Sequence, residues 1–173
     1  MDNAAKPIAV VQGADGWAVQ ALFERVVARL GVRIVGVIEQ AGAAGSGDKT
    51  GWLQTIGSAQ RFAMFQALGS GAGGCSLLAS GVVAAGEQVR RDMAAGCDLV
   101  VLNKFGRLEA EERSGLIDVF GAAIEAGVPV LTSVSPRFAA DWDRFAEPLY
   151  GWVPPRDDAV LDWWSALMDA GVA

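Results

Sequence analysis

The chain has 173 residues, of which 52% are hydrophobic and 20% charged, and its formal net charge is −6. Its 14 Lys and Arg residues are spread along the sequence, so we expect no nucleic-acid partner, because a phosphate backbone favours a concentrated basic face. Histidine is absent, which excludes histidine-dependent catalytic triads and ordinary zinc sites.

The length is typical of one domain, and we predict a single α/β domain spanning residues 1–173. Mean hydropathy is high at +0.31. Gly or charged residues nevertheless interrupt every apolar segment before the roughly 20 residues that a membrane-spanning helix needs. The first six residues lack the cationic start and apolar core of a signal peptide. We therefore expect no membrane association and a cytoplasmic location.

The first forty residues show the pattern of a βαβ unit. Residues 7–12 and 33–39 are short apolar segments rich in Val and Ile, which predicts strands. Between them, apolar residues recur at three- and four-residue steps over 17–30, which predicts a helix that ends at Gly31. The crossover between the two strands should be right-handed.

The middle of the chain is less regular. Residues 41–60 are dominated by Gly, Ala and Ser, and we predict a long loop or lid there, since long loops in compact domains are often functional. Residues 61–68 have the composition of a third strand. A second glycine-rich turn follows at 69–74, where successive amides either form an anion-binding concavity or merely connect two elements.

Alternating helices and strands return in the second half. The predicted helices span 79–95, 109–126 and 137–145, and a last helix capped by Asp157 or Asp158 runs through residue 168. The predicted strands span 98–102, 129–134 and 149–153. This alternation predicts a three-layer α/β sandwich with a mainly parallel sheet.

Polar side chains follow the apolar strand at 98–102, and they are the first candidates for a site. Ligands of open parallel sheets bind beyond the carboxyl ends of the strands. Lys104 and Arg107 would bind an anion, Asn103 and Glu109 lie beside them, and Glu109 is either a catalytic acid or base or simply a carboxylate at a helix start. Thr132 and Ser133 end the next strand and are candidate hydroxyl ligands at the same edge.

A second candidate is the turn after the first strand, formed by Gly13, Ala14, Asp15 and Gly16. Nucleotide-binding folds place their phosphate loop there, at the start of a helix that attracts anions. The turn lacks the spacing of the GxxxxGK[ST] motif and its lysine, and it also misses GxGxxG. Anion binding and a plain tight turn both remain open for these four residues.

The sequence CDLVVLNKFGRLEAEERSGL (97–116), with AGVPVLTSVSPRFAADWDRFA (126–146) and more loosely GADGWAVQALFERVVARLG (13–31), resembles the bacterial family known as domain of unknown function 2478. That family is distantly similar to the thermophile-type nucleoside-triphosphatases. The resemblance implies a phosphate-loop fold in which Asn103 and Lys104 replace two signature acids, Gly106 matches the signature glycine and Glu109 a later glutamate. Members often occur near molybdate uptake genes, which suggests an oxyanion.

Three hypotheses follow. The first is a nucleotide- or phosphate-binding domain of NTPase descent with weak or no hydrolysis, and with magnesium as cofactor only if the ligand is a nucleotide. The second is a non-enzymatic protein that binds or regulates oxyanions such as molybdate or tungstate. The third is an interaction module, because several Trp residues near the carboxyl end (Trp142, Trp152, Trp163 and Trp164) favour core packing or a subunit interface, and hence a homo-oligomer.

Overall fold

The structure is a computed structural model, and it describes residues 5–41, 51–67 and 75–171. The strands are β1 (Ile8–Val11), β2 (Ile34–Ala41), β3 (Gly51–Thr55), β4 (Arg61–Ala63), β5 (Phe65–Ala67), β6 (Cys75–Leu77), β7 (Leu99–Leu102), β8 (Val130–Ser133) and β9 (Tyr150–Val153). The helices are α1 (Gly16–Leu30), α2 (Ala79–Ala94), α3 (Arg107–Ala110), α4 (Ile117–Glu125), α5 (Ala139–Ala146) and α6 (Asp157–Asp169), with a 3₁₀ turn at Pro136–Phe138.

The main sheet has seven strands in the order β4-β3-β2-β7-β8-β1-β9. β2, β7, β8, β1 and β9 run parallel to one another, whereas β3 pairs antiparallel with β2 and β4 pairs antiparallel with β3 at one edge. β8 separates β1 from β7, so the loops that leave β1 and β7 are not immediate neighbours. Strands β5 and β6 form a separate antiparallel pair.

Both faces of the sheet are covered, which gives three layers. Successive residues of β7 belong to different cores: Val100 and Leu102 pack on one side, with Phe120 and Trp142. Leu99 and Val101 pack on the other side, in the core that contains residues of α1 and α6. Burial on both faces explains why β7 is continuously apolar. The predicted three-layer α/β fold with a mainly parallel sheet is confirmed.

The prediction of a structureless segment over 41–60 is wrong in its second part. Residues 42–50 lie outside the described residues, but β3 follows them and pairs antiparallel with β2. Leu53 and Thr55 are buried on β3, an alternation that the surrounding Gly and Ser residues obscure in the sequence. The predicted lid therefore contains a strand of the main sheet.

The single strand predicted over 61–68 is also wrong, because it consists of two short strands, β4 and β5. Met64 separates the two strands. Its side chain is buried, and its carbonyl accepts a hydrogen bond of 2.6 Å from the Leu78 amide. The glycine-rich turn predicted at 69–74 lies outside the described residues.

The helix predicted over 109–126 is interrupted. α3 ends at Ala110 and α4 begins at Ile117, and the loop between them contains Arg113 and Gly115 with φ of 47° and 65°. Two left-handed residues cannot continue an α-helix. The predicted buried face of the second part is correct, since Leu116, Val119, Phe120 and Ala123 are all buried.

The start of the last helix also differs from the prediction. The N-cap is Arg156, and its side chain forms no capping hydrogen bond. Asp157 and Asp158 lie in the first turn, where a carboxylate interacts favourably with the helix dipole without capping it. Among the described residues, no helix is both long and apolar enough to cross a membrane.

Candidate functional site

In the turn after β1, a side chain of the turn itself binds the backbone amides at the start of α1. Asp15 is the N-cap of α1, and its Oδ1 atom accepts hydrogen bonds of 3.0 Å from the amides of Trp17 and Ala18. Gly13, Ala14, Asp15 and Gly16 are all exposed. The first-turn amides that a phosphate would use therefore bind a carboxylate of this chain.

The end of β7 is a buried network. Asn103 is only 3% exposed, and its carbonyl accepts hydrogen bonds from Gln20 Nε2 at 3.0 Å and Ser133 Oγ at 2.8 Å. The Oε1 atom of Gln20 in turn accepts from the Glu39 amide at 2.9 Å. Gln20 thus joins α1 to both β2 and β7 at the carboxyl edge of the sheet.

Sequence reasoning missed Gln20. Its signal was a polar residue on the apolar face of α1, where it lies between the buried residues Val19 and Leu22. At 4% exposure, a glutamine needs hydrogen-bond partners inside the protein. Such a position predicts a buried hydrogen-bond network but does not identify the distant partners.

Glu39, which sequence reasoning also did not select, brings charge to the same edge. Its Oε2 atom lies 3.2 Å from Lys104 Nζ and 3.4 Å from Asn103 Nδ2. The side chain of Glu39 is 11% exposed and that of Lys104 is 45% exposed. Because an ammonium group has three donors, Lys104 can keep this ion pair and still bind an anion from solvent.

Glu109 lies beneath the loop that follows α3. It is 5% exposed, and its Oε2 and Oε1 atoms accept hydrogen bonds of 2.9 Å from the Gly106 and Leu116 amides. Burial raises the pKa of this carboxyl, and the two amide hydrogen bonds, with the charge of Lys104, oppose that increase. Glu109 therefore ties the end of β7 to the start of α4, while its role as a catalytic acid stays a prediction.

Gly115 makes room for this carboxylate. A Cβ atom at position 115 would lie 2.3 Å from Glu109 Oε1 and 3.0 Å from the Leu108 Cβ. Its φ of 65° also disfavours any other residue. The left-handed loop and the buried carboxylate are therefore parts of one local structure.

The other predicted residues are placed differently. Arg107 is exposed and lies 3.3 Å from Glu112 in an ion pair. Thr132 is fully buried, and its hydroxyl donates a 3.4 Å hydrogen bond to the Ser133 carbonyl. The hydroxyls of Thr132 and Ser133 thus have protein partners at the edge where the sequence placed them.

The structure brings four predicted residues together. Asn103, Lys104, Arg107 and Glu109 line one cavity of about 40 Å³. That volume holds water molecules, whereas cavities for drug-sized ligands begin at about 300 Å³. The Gly13–Gly16 turn is not part of this lining, and β8 lies between the strands that carry the two sets.

These residues do not fit a magnesium ion. The Glu39 carboxylate is paired with an ammonium group, and both oxygens of Glu109 accept amide hydrogens. Over residues 5–41, 51–67 and 75–171, no group of three or more acidic or thiol side chains converges. A hard cation here would have to displace Lys104 from its carboxylate.

Two comparisons describe what the chain is similar to. It is 35% identical over 144 residues to the Molybdenum import ATP-binding protein ModC 2 of Bradyrhizobium diazoefficiens, a match that covers 82% of this chain and 16% of that protein. The chain therefore spans about one sixth of the length of that relative. The crystal structure of THEP1 from the hyperthermophile Aquifex aeolicus matches with a TM-score of 0.63 at 15% identity.

The THEP1 match covers 92% of this chain and 97% of that structure. It shows that the sheet and its helices have the fold of the phosphate-loop NTPases, as the sequence resemblance implied. A family model described as "Protein of unknown function (DUF2478)" matches residues 8–163. The chain belongs to this DUF2478 family.

Proposed function

We propose that this chain is a nucleotide- or phosphate-binding domain that binds its ligand without efficient hydrolysis. The observation that carries the proposal is Lys104: its ammonium group lies at the carboxyl edge of a phosphate-loop fold and is 45% exposed. Glu39, which also accepts a hydrogen bond from Asn103 Nδ2, holds this side chain at the end of β7. An anionic group above the edge would bind the remaining ammonium donors.

The same geometry supports the proposal that hydrolysis is inefficient. A phosphate-loop enzyme uses turn amides and a lysine on the phosphates, and an acid that orients magnesium after a neighbouring strand. Here Asp15 caps the turn, no lysine lies within it, and Asn103 and Lys104 follow β7. The anion would therefore be bound by positive charge, without the groups that position the phosphates and magnesium for hydrolysis.

The relative in Bradyrhizobium supports a nucleotide, because its name describes an ATP-binding protein. The matched segment is 16% of that protein, so the ATP-binding activity in the name belongs to the whole protein. A solution experiment must decide whether the segment represented by this chain binds a nucleotide.

A second candidate is a non-enzymatic oxyanion-binding protein. The words "Molybdenum import" in the relative's name favour this candidate, and it would use the same Lys104. The hydroxyls of Thr132 and Ser133 contribute less than the sequence suggested, because each already donates to a carbonyl. Molybdate or tungstate would then bind mainly through charge.

Calorimetric titration with ATP, ADP, phosphate and molybdate, each with and without magnesium, tests the proposal. Lys104→Ala should weaken binding of the preferred anion about tenfold or more, since a charge-assisted hydrogen bond contributes about 1.5–3 kcal/mol. Lys6→Ala is the matched control, because Lys6 is exposed and precedes β1 at the opposite edge of the sheet.

Equal affinities of the Lys104→Ala and Lys6→Ala variants would contradict the proposed site. Preference for molybdate over nucleotides would select the second candidate. Rapid magnesium-dependent ATP hydrolysis would refute a binding domain without efficient hydrolysis. The predicted homo-oligomer also stays a prediction, and sedimentation of the same samples would test it.

A further inference from the structure

The two edge strands of the main sheet differ in how they are protected. β4 begins with the exposed, charged Arg61, and Gly81 of α2 packs closely against the Ala63 carbonyl. β9, at the other edge, has the sequence Tyr-Gly-Trp-Val without a charged residue, and among the described residues no strand pairs with its outer side. Charge and coverage are common ways to keep an edge from pairing with another chain. β9 has neither along its length.

The backbone groups on the outer side of β9 belong to Tyr150 and Trp152. On the inner side, the Ile8 amide of β1 donates a 3.2 Å hydrogen bond to the Leu149 carbonyl. Because a strand bonds a given neighbour through alternate residues, the amides and carbonyls of Tyr150 and Trp152 point away from β1. An outer strand could pair with all of these groups.

These groups are self-complementary when two copies of β9 lie antiparallel. A twofold axis at Gly151 places Tyr150 of one copy opposite Trp152 of the other, and each such pair exchanges two hydrogen bonds. Every outward amide and carbonyl of the two residues is then satisfied. Pro148 and Pro154 flank the strand and have no amide hydrogen, so they limit pairing to this short segment.

The side chains at this edge are apolar and accessible. Trp152 is 45% exposed and Leu149 is 37% exposed. The Trp152 ring lies 5.2 Å from the Tyr150 ring between centroids, and the Tyr150 hydroxyl bonds to Asp143 of α5. In the antiparallel pair, Trp152 of each copy would lie directly opposite Tyr150 of the other. Cross-strand aromatic pairs of this kind stabilise a sheet.

The charges that flank β9 are complementary under the same symmetry. Glu147 precedes the strand and Arg156 follows it, and both are exposed. Antiparallel pairing brings the beginning of one strand to the end of the other, so Glu147 of each copy approaches Arg156 of the other. A parallel pair would instead place like charges side by side, which is unfavourable.

We propose that β9 pairs antiparallel with β9 of a second copy of this chain, in a dimer whose two seven-stranded sheets form one continuous sheet. The hydrogen-bonding groups, the aromatic rings and the flanking charges all match under one twofold axis, which favours a second copy over an unrelated partner. Lys104 follows β7, inside the sheet, so the dimer does not depend on a ligand there.

Cross-linking at Gly151 tests the position of the axis. Residues at the centre of such a pair lie about 4.5 Å apart between Cα atoms, within the range of about 4.4–6.8 Å that a disulfide spans. A Cβ at Gly151 would meet only the Lys6 side chain, at 3.8 Å, so the Gly151→Cys variant should fold normally. Under mild oxidation it should form a covalent dimer, and peptide mass spectrometry should find position 151 joined to position 151.

Ser165→Cys is the matched control for cross-linking, because Ser165 is exposed on α6, outside the proposed interface. Both variants keep the native cysteines, so the comparison isolates the added thiol. Ser165→Cys should remain monomeric on a denaturing, non-reducing gel under the same conditions.

Sedimentation equilibrium tests the contribution of the exposed ring. Trp152→Lys should raise the dimer dissociation constant about tenfold or more, because it removes an aromatic contact twice and places a charge on the edge strand. Trp17→Lys is the control, since Trp17 is 52% exposed but lies against Gly51 of β3, away from β9. That variant should keep the dissociation constant of the unmodified protein.

Charge reversal tests the antiparallel direction. Glu147→Arg and Arg156→Glu should each weaken the dimer about threefold or more, because each replaces two attractive contacts with two repulsive ones. The double variant restores opposite charges at both ends and should recover the affinity of the unmodified protein. Additive losses in the double variant would contradict the antiparallel arrangement.

Three further outcomes would overturn the proposal: a monomer at every concentration up to about 1 mM, a dimer unaffected by Trp152→Lys, or equal cross-linking of Gly151→Cys and Ser165→Cys. Lys104→Ala separates the dimer from the proposed function. That variant should dimerise like the unmodified protein, even if every nucleotide and oxyanion titration fails.

Discussion

Two loops at the same edge of the sheet satisfy the hydrogen bonds of their polar groups in opposite ways. The turn after β1 is exposed, and a residue within it, Asp15, satisfies the first amides of α1. The loop after β7 is buried, and its partners Gln20, Glu39 and Ser133 lie far away in the sequence. The turn after β1 is a local structure, whereas the loop after β7 depends on contacts with α1, β2 and β8.

The difference indicates which of the two loops has polar groups available to bind a ligand. At the turn, one carboxylate both caps the helix and repels an incoming anion. At the end of β7, the network holds Lys104 in place and leaves nearly half of its side chain accessible. Of the two loops, the β7 loop is therefore the better candidate for the proposed anion binding.

The largest expected effect is on stability, from Glu109→Ala. This change leaves the Gly106 and Leu116 amides without their acceptors in a buried region. We expect a loss of about 3 kcal/mol or more in the free energy of unfolding, measured by urea denaturation. Glu112→Ala, which removes an exposed carboxylate of the same loop, should change stability by about 0.5 kcal/mol or less.

The raised pKa of Glu109 gives this prediction a pH dependence. Between the ordinary value of 4.5 and the higher folded-state pKa, the folded protein binds more protons than the unfolded chain. The unfolding free energy of the unmodified protein, relative to Glu109→Gln, should therefore fall as the pH rises through this window. A rise instead would show that the two amide hydrogen bonds outweigh the cost of burying the charge.

Gln20→Ala should have the next largest effect. The variant removes the acceptor of the Glu39 amide and one of two donors to the Asn103 carbonyl. We expect a loss of about 1–3 kcal/mol in the free energy of unfolding. Gln12→Ala is the matched control, because Gln12 donates a single 3.2 Å hydrogen bond to the Val134 carbonyl, and an equal loss there would contradict a central role for Gln20.

The smallest effects are expected at Asp15. Asp15→Ala should cost about 1 kcal/mol through loss of the helix cap. Asp15→Ser should recover most of that stability, because serine is also a good N-cap, and should leave the affinity for inorganic phosphate unchanged, because β8 lies between the turn and the strand that precedes Lys104. A rise in phosphate affinity, measured by calorimetry, would show that the anion binds at the turn and would contradict the proposed site on the β7 loop.

The sequence predicted the fold well where its signals were local. Apolar runs that end in glycine or charge located β1, β2, β7 and β8, and three-to-four-residue periodicity located α1 and α2. The prediction failed at β3 and in the loop after α3. In both places, contacts that hydrophobic periodicity does not encode decide the structure: pairing with β2 for the first, and the buried carboxylate of Glu109 for the second.

The residues of the candidate site likewise divide into those that the sequence located and those that it did not. The position of polar residues after an apolar strand predicted Asn103, Lys104 and Glu109. The strand order explains why Ser133 lies beside Asn103. Nothing in the sequence indicates that Glu39 pairs with Lys104, because 65 residues separate them. Nor does it indicate the loop at Arg113, which interrupts a segment with the periodicity of one helix.

By itself, the sequence determined the layers of this protein and the edge of the sheet that carries its candidate site. Hydrophobic periodicity fixes which faces are buried, and parallel strands gather their loops at one edge. Only the tertiary structure decided which polar groups are available there. Hydrogen bonds inside the protein satisfy Asn103, Ser133 and Glu109, whereas Lys104 faces solvent.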